Sequence, residues 1–548
     1  MQINTSNALT LSVAVATLLM AGAAHGQLRV ANWNVTTYSS GRVSEFQTAF
    51  FAQAPSGIQF WPDVLIAQEV QGATAANNFK NLLNTYSDAR GPGPRDYAVA
   101  PVGSSGNAMF YRTSKVTLVG NPVVLTTVPG VTCTTATTCP PRSNERYLLR
   151  LTGYAAPAVS GTGSEMYLYS AHMKAGDTTT DQGRRTLEVD RLRADTNALP
   201  AAAHFILGGD FNIQSSSQTA FQNLLGGATI GRFFDPINTP GAWNNNCTYK
   251  WVFTQDPALN SSGGFDDRLD FLLISAALKD GSGLSYIGDT TSNYNTWCAS
   301  NNNWDNPNHS YRTWGNDGFA CNTNLRTTGN TMVGPTIASA LATSALSNGH
   351  LPVYLDLRVP PKVTAPTIIN LGTVTAGSAA SATLAITNST DVRTFAINPT
   401  TAAAAGLETL SYSFTDLPAT LTIAGGSGPF ALAPLNQPAS PAGALFGSRT
   451  HTLNFIAPAA TGPYIGSFTL SSNADTSALP ILVQAVIVPA SAACSLADVT
   501  SDGTVDGSDF IAFINAFGAA ETLADVNQDG TVDGGDFVEF INAFSAGC

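Results

Sequence analysis

The sequence predicts a multidomain chain: an α/β sandwich domain, then an all-β domain, then a small helical pair. Three observations carry this. Short β-rich runs recur between Leu28 and about Pro361 with an amphipathic helical segment among them. From about Val363 the chain is Ala/Thr/Ser-rich, alternates in hydrophobicity and carries almost no charge. After Pro489, ADVTSDGTVDGSDFIAFINAF recurs as ADVNQDGTVDGGDFVEFINAF, so that Asp498 corresponds to Asp525. A chain of 548 residues that is 44% hydrophobic exceeds a single core, in keeping with several domains.

At the N-terminus, an apolar run from Ala8 to Ala24 precedes Ala24-His25-Gly26, a small-x-small cleavage site, so residues 1–26 are expected to be a signal peptide and the mature chain to start near Gln27. No other long apolar segment follows, so no integral membrane domain is expected after cleavage, and the product is secreted or attached to a cell surface. Seven cysteines in an exported chain suggest disulfides, with Cys133/Cys139, Cys298/Cys321 and Cys494/Cys548 the pairs that fit by neighbourhood and Cys247 left over. A net charge of −12 excludes a grip on nucleic acid by protein charge alone, but not a nuclease whose bound cations supply the positive field.

Over residues 27–361 the runs LRVANWNV, DVLIAQEV, NAMFYR, EMYLYSAHM, AHFILGGDF, RLDFLLIS and LPVYLDL are mostly continuous in apolar character, as in sheets covered on both faces. Gln182 to Leu199 has helical periodicity. Polar residues stand at the ends of these runs: Asn34, Glu69, His172, Asp210, Asn212, Asp270 and His350. Such an acidic and amide set is a hard-oxygen field suited to Mg2+ or Mn2+, with two histidines available as acid, base or hydrogen-bond donors. Singly, each has a plainer reading: Glu69 as a turn cap, Asp210 and Asn212 as turn formers after Gly208-Gly209, His172 as a core histidine.

In order, WNV, QEV, SAHMKAG, GGDFN, RLDF and GHLPV resemble the endonuclease/exonuclease/phosphatase superfamily, over roughly Leu28 to Arg358. The resemblance implies a four-layer, DNase I-like α/β sandwich and metal-dependent phosphodiester hydrolysis. It assigns Asn34 and Glu69 to the metal, Asp210 to the attacking water, Asn212 to phosphate or metal, and His172 to a phosphate oxygen. Asp270 and His350 become an Asp-His pair acting as general base or electrostatic stabiliser, with Asp267 a lesser substitute for Asp270. Arg146 in NERYLLRL takes the place of an arginine facing the scissile phosphate, in competition with Arg142 and Arg150. In one respect the chain departs from the family: Asn348-Gly349-His350-Leu351-Pro352 stands where Ser-Asp-His-x-Pro is usual, so a carboxylate is missing, and Asn348 is the candidate to supply an oxygen instead.

Residues 363–489 are expected to form an immunoglobulin-like β-sandwich, most simply a spacer or binding module. Within 494–548 each repeat reads as a calcium loop: Asp498, Thr500, Asp502, Thr504, Asp506 and Asp509 in the first, and Asp525, Asn527, Asp529, Thr531, Asp533 and Asp536 in the second. Gly503 and Gly530 permit the sharp turn, and Thr504 and Thr531 are expected to offer backbone carbonyls. Phe510, Phe513, Ile514, Phe517 and their counterparts Phe537, Phe540, Ile541, Phe544 recur at helical spacing. Asp rather than Glu at position twelve resembles dockerin type I, and the flanking Cys494 and terminal Gly547-Cys548 resemble bacterial dockerin variants that anchor secreted proteins. A cohesin-like or cell-surface anchoring partner is thereby implied.

The functional expectation is an extracellular nuclease acting on DNA or RNA. The alternatives are a sphingomyelinase-like or inositol-phosphate phosphatase activity using nearly the same residues, or a non-catalytic scaffold, including one within a polysaccharide-degrading assembly. No pair of glycosidase carboxylates with sugar-stacking aromatics supports a glycosidase.

Overall fold

The computed structural model describes residues 27–547 except 89–90, 93–94, 104, 131, 133, 136–138, 259–262, 389–409, 411, 425–445, 475–477 and 490–495. The expected signal peptide lies outside the described residues, as do Cys133, Cys494 and Cys548. The chain folds into two compact units that divide between Lys362 and Val363.

Two large sheets form the body of the first unit, beside a short pair Ser87–Asp88 and Gly91–Pro92. In one, the strands run in the order Ser285–Tyr286, Val353–Arg358, Gln27–Tyr38, Val64–Val70, Ala108–Arg112, Tyr97–Val99, with Arg312–Thr313 also on Val353–Arg358. In the other, the order is Asp270–Ile274, Phe205–Asp210, Glu165–His172, Asn144–Leu151, Val116–Leu118, with Val123–Leu125 also on Asn144–Leu151. Each sheet contains one parallel pair, Gln27–Tyr38 with Val64–Val70 and Glu165–His172 with Phe205–Asp210; the other pairings are antiparallel. A parallel pair needs a crossover. Helix Val43–Phe51 supplies the first and helix Thr179–Asn197 the second, the latter capped where Thr178 Oγ1 accepts the Asp181 amide.

Strand alternation sorts the side chains. Asn32, Ile66, Gly208 and Leu272 meet where the sheets face each other; a Cβ on Gly208 would lie 2.5 Å from Ile66 and 3.0 Å from Leu272. Trp33, one residue out of phase, packs instead against Phe46 and Phe50 of the first crossover helix, with ring centroids 5.1 and 5.7 Å apart. Likewise Tyr169, Leu207 and Phe271 pack outward with Val189, Leu192, Phe221 and Leu224. The layering is therefore helix, sheet, sheet, helix, and strands buried on both faces read as continuous apolar runs for that reason. The sequence reading placed one helix here, matching Thr179–Asn197, and passed over Val43–Phe51, Gly72–Asn84 and Gly334–Ala345, although Ala75, Ala76, Phe79, Leu82 and Leu83 form a buried stripe at helical spacing.

In the second unit, two four-stranded sheets share one core. One runs Val363–Thr364, Ala379–Asn388, Phe446–Ile456, Leu421–Ala424; the other runs Ile368–Thr375, Ala478–Val488, Gly462–Ser472, Tyr412–Thr415. The C-terminal repeat forms helices Gly507–Gly518 and Gly534–Ala546, with Phe513 stacked on Phe540 at 3.8 Å. Among the described residues no helix is long and apolar enough to cross a membrane.

The expected Cys298/Cys321 pair is corrected. Cys321 is bonded to Cys247, with Cα atoms 5.6 Å apart, while Cys298 is a buried free thiol. Cys298 sits on the inner side of helix Tyr294–Asn301 near the Trp304 carbonyl, so its side chain is committed to the core. Non-reducing peptide mapping should recover a Cys247–Cys321 cross-link, with Cys298 alkylated only after unfolding. Replacing Cys247 by Ser should lower unfolding stability by about 2–4 kcal/mol in a denaturant titration.

Candidate active site

The strand ends that the layering brings together carry six of the expected residues. Asn34 is the last residue before the pairing of the first strand is interrupted, opposite Gln68. The register then breaks, and Thr36, Thr37 and Glu69 all have positive φ, of 49°, 44° and 61°. Non-glycine residues avoid this region, and β-branched threonine avoids it most. The consequence is a turn of the Glu69 carboxylate toward Asn34 and the Thr37 amide, which donate to Oε1 and Oε2 at 3.0 and 2.8 Å. Asn34 Nδ2 also donates to Asp210 Oδ2 at 3.1 Å, while its Oδ1 accepts the Thr36 amide at 3.0 Å.

The opposite sheet supplies His172 and Asp210, which are register partners, and Asp270, the partner of Asp210 on the other side. Gly209 allows this closeness, since a Cβ there would lie 2.0 Å from the Ala171 carbonyl oxygen. His172 Nε2 is 3.5 Å from Asp210 Oδ2 and 4.0 Å from Glu69 Oε1. His350 Nδ1 is 2.6 Å from Asp270 Oδ2, and its Nε2 points toward Asp210 Oδ2 at 3.7 Å. Asn212 is adjacent, but its amide side chain donates to the Met173 carbonyl at 3.1 Å, fixing the turn after His172, and its backbone amide donates to Asp210 Oδ1.

Charge is distributed unevenly over this set. Burial works against an imidazolium at His350, yet Asp270 and Asp210 outweigh it and push the pKa up to about 9. Burial lowers His172, only partly opposed by Asp210, so that at neutral pH it is a neutral imidazole. Burial would raise Glu69, but hydrogen bonds from Asn34 and Thr37 and the neighbouring histidines prevail and hold its carboxyl below the ordinary range. Burial raises Asp210, with His350 and His172 opposing. The site thus pairs one protonated histidine with one neutral one across a shared carboxylate, an arrangement able to donate to an anion and accept a proton at neighbouring points.

One expectation needs revision, and one alternative falls away. Arg146 is not at the site: on strand Asn144–Leu151 it is one residue out of phase with the inward Glu145, and it lies beneath helix Thr179–Asn197, donating to both Asp195 oxygens at 2.8 and 2.7 Å. Arg142 lies nearer, but its guanidinium binds the His172 and Met173 carbonyls and so holds the histidine's backbone. Asp267 accepts the Asn245 amide at 2.9 Å and does not replace Asp270.

Sequence reasoning missed the supports. Asn32 donates to Asp270 Oδ1 at 3.3 Å and accepts from Gln68 at 2.8 Å, while Thr254 Oγ1 accepts the Leu269 and Asp270 amides. Glu188 accepts the backbone amides of Arg142 and Lys174. The signal for Asn32 was available, because it lies two residues before Asn34 on the same strand face.

The missing carboxylate at Gly349 has a structural cause. A Cβ there would stand 1.8 Å from the carbonyl oxygen of Ala345, at the end of helix Gly334–Ala345. The backbone itself fills the place of a side chain.

In the C-terminal repeat, Asp498, Asp502 and Asp509 each offer a carboxylate oxygen within 4.8 Å of the others. Asp498 accepts the Asp502 and Gly503 amides, and Asp525 accepts those of Asp529 and Gly530 in the same pattern. Gly503 and Gly530 both have φ of 88°. Thr500 and Asn527 donate backbone amides to Asp509 and Asp536. Asp506 and Asp533 cap the helices in boxes closed by Asp509 and Asp536, so these carboxylates start the helices as well as lining the loops.

Residues 33–300 match the endonuclease/exonuclease/phosphatase family, and residues 496–545 match the dockerin type I domain. No curated protein matches the chain. Among solved structures it is similar to the human Nocturnin catalytic domain with bound sulfate, at 15% identity over 61% of this chain and 95% of that one, with a TM-score of 0.33. An endonuclease/exonuclease/phosphatase from Beutenbergia cavernae is 13% identical over 84% and 99%, with a TM-score of 0.30. A mannosyl-6-phosphatase of Bacteroides thetaiotaomicron is 12% identical over 60% and 99%, with a TM-score of 0.28. The chain therefore carries an endonuclease/exonuclease/phosphatase family domain, a strand-rich middle region and a dockerin type I domain.

Two outcomes test the site's geometry. Gly349→Ala should destabilise the fold by more than about 2 kcal/mol, because the clash is with backbone, and Gly349→Asp should do no better; a neutral melting shift in either would contradict the packing. Without added Mg2+ or Mn2+, the stability contributed by His350 should be complete below its unfolded pKa near 6.5 and disappear as pH rises through about 9. Melting curves from pH 6 to 10 should show that decline in the wild type and a flatter profile in His350→Gln.

Proposed function

We propose that this phosphoester hydrolase, with its dockerin module, is a secreted metal-dependent phosphodiesterase, foremost an extracellular nuclease, tethered through its C-terminal repeat. The observation that supports it is the convergence of Asn34, Glu69, His172, Asp210, Asp270 and His350 from both sheets at one set of strand ends. A scaffold with a decayed site has no reason to retain a buried Asp270-His350 pair aimed at a second carboxylate.

The donor set suits a hard divalent ion, Mg2+ or Mn2+. Glu69 is the carboxylate to hold it: its side chain is 26% exposed where Asp210 and Asp270 are buried, and its pKa is held low. Asn34 orients that carboxylate, and its own oxygen serves the Thr36 amide. When bound, the ion supplies Lewis-acid neutralisation of phosphate charge. Asp210 then orients and deprotonates the attacking water, protonated His350 donates to the charged phosphoryl oxygens, and neutral His172 completes their cradle, with Asn212 keeping its turn in place. The dockerin loops, filled by Ca2+, stiffen the helix pair that a cohesin-like surface partner grips. The strand-rich region, read as an immunoglobulin-like sandwich, spaces enzyme from anchor.

Hydrolysis of plasmid DNA, RNA and bis-p-nitrophenyl phosphate with Mg2+ or Mn2+ tests the reading. Turnover should require the metal and fall by about 10²–10⁴-fold in Asp210→Ala and His350→Ala. Cleavage confined to sphingomyelin or inositol phosphates would move the substrate class within the same mechanism. Inactivity on all of them by folded protein would leave the scaffold reading.

A further inference from the structure

We propose that Arg42 is a positioning residue that clamps the Glu69-binding bulge to the segment that delivers His350. The inference rests on the phosphoesterase reading for its catalytic meaning, but its geometry is independent of that reading.

The two catalytic segments are built from awkward backbone. On one side, Thr36 and Thr37 are consecutive left-handed residues, and the Thr37 amide is the group that holds Glu69 Oε2 at 2.8 Å. Such a conformation persists only where its surroundings over-determine it. On the other side, Leu346 and Asn348 also have positive φ, of 57° and 56°, and Gly349 lies hard against the Ala345 carbonyl, immediately before His350.

Arg42 connects the two. Its Nη2 donates to the Thr36 carbonyl at 2.8 Å, and its Nη1 donates to the Ser344 carbonyl at 2.5 Å, in the last turn of helix Gly334–Ala345. Residues 36 and 344 are otherwise remote in sequence, and Ser344 is buried. The guanidinium is seated over Tyr38 and Phe46, at 5.5 and 5.1 Å from the ring centroids, which fixes the plane of the fork. Arg42 itself is left-handed, with φ of 49°, where the chain leaves the first strand for helix Val43–Phe51. Two carbonyls spanned by one rigid, planar donor set is a task for arginine; a lysine ammonium is a single point at the end of a flexible stem. Groups that act on a metal centre through its ligands typically change metal affinity or activity by about 10–100-fold when removed.

The test compares the wild type, Arg42→Met and Arg42→Lys as calcium-loaded full-length chains whose folding is verified by circular dichroism. Hydrogen exchange should accelerate together in peptides covering residues 34–38 and 344–350 of Arg42→Met. The affinity for Mn2+, titrated at saturating Ca2+, should fall about tenfold. On bis-p-nitrophenyl phosphate, kcat should fall with KM little changed, and Arg42→Lys should recover only part of each effect. Faster exchange in one segment alone, or in neither, overturns the clamp, as does full recovery by lysine. If Arg42→Met does not fold, the lysine variant decides by the same two peptides. A wild type that neither binds Mn2+ nor turns over substrate overturns the functional reading, while the exchange result still decides the clamp.

Discussion

The candidate site depends on one amide. Asn34 Nδ2 donates at once to Glu69 of its own sheet and to Asp210 of the facing sheet. Two carboxylates brought this close repel each other unless positive charge or shared donors intervene. The amide answers part of that cost, and the two histidines answer the rest. The bond also fixes the separation of the sheets at their functional end, where a longer side chain would push Asp210 off His172 and His350. Gly208 serves the same end from the other side by leaving no side chain to keep the layers apart, and Gly209 lets its strand lie close to Ala171 of the neighbouring strand.

Around that amide the protein arranges charge by depth. Asp270 is fully buried and hydrogen-bonded by Asn32 and His350, Asp210 lies just above it, and Glu69 opens to solvent. The C-terminal repeat handles acidity differently: its carboxylates are spent on backbone amides of their own loops and on the first turns of their own helices. One module thus buries its acids between layers, and the other wraps chain around them.

Much of this was legible in sequence where chemistry demands a fixed residue order. GGDFN and the repeated Asp-rich loops encode backbone geometry through glycine as well as function through oxygen, so their reading survives without coordinates. What escaped was governed by phase and by distant partners. Arg146 and Glu145 are neighbours in sequence, and only pairing with the adjacent strand reveals which of them faces inward. Cys247 finds Cys321 because loops far apart in the chain meet, which spacing alone cannot disclose. Glu69 reaches Asn34 through a left-handed backbone that no propensity favours. The middle region's strand pattern was visible, whereas Asn32 and Thr254 look like ordinary strand and loop residues until Asp270 is placed beside them.

The position of strand Val353–Arg358 has a consequence for how the chain is made. It inserts between Gln27–Tyr38 and Ser285–Tyr286, and Arg29 pairs with Asp356 while Trp33 donates to the His350 carbonyl. Strand Gln27–Tyr38 therefore keeps its second edge uncovered until Val353–Arg358, the last strand of that sheet in chain order, has docked. Until then an apolar strand edge stays open, the condition under which nascent chains aggregate or recruit chaperones. Activity and protection of that edge arrive in the same late step, so a truncated product would lack both.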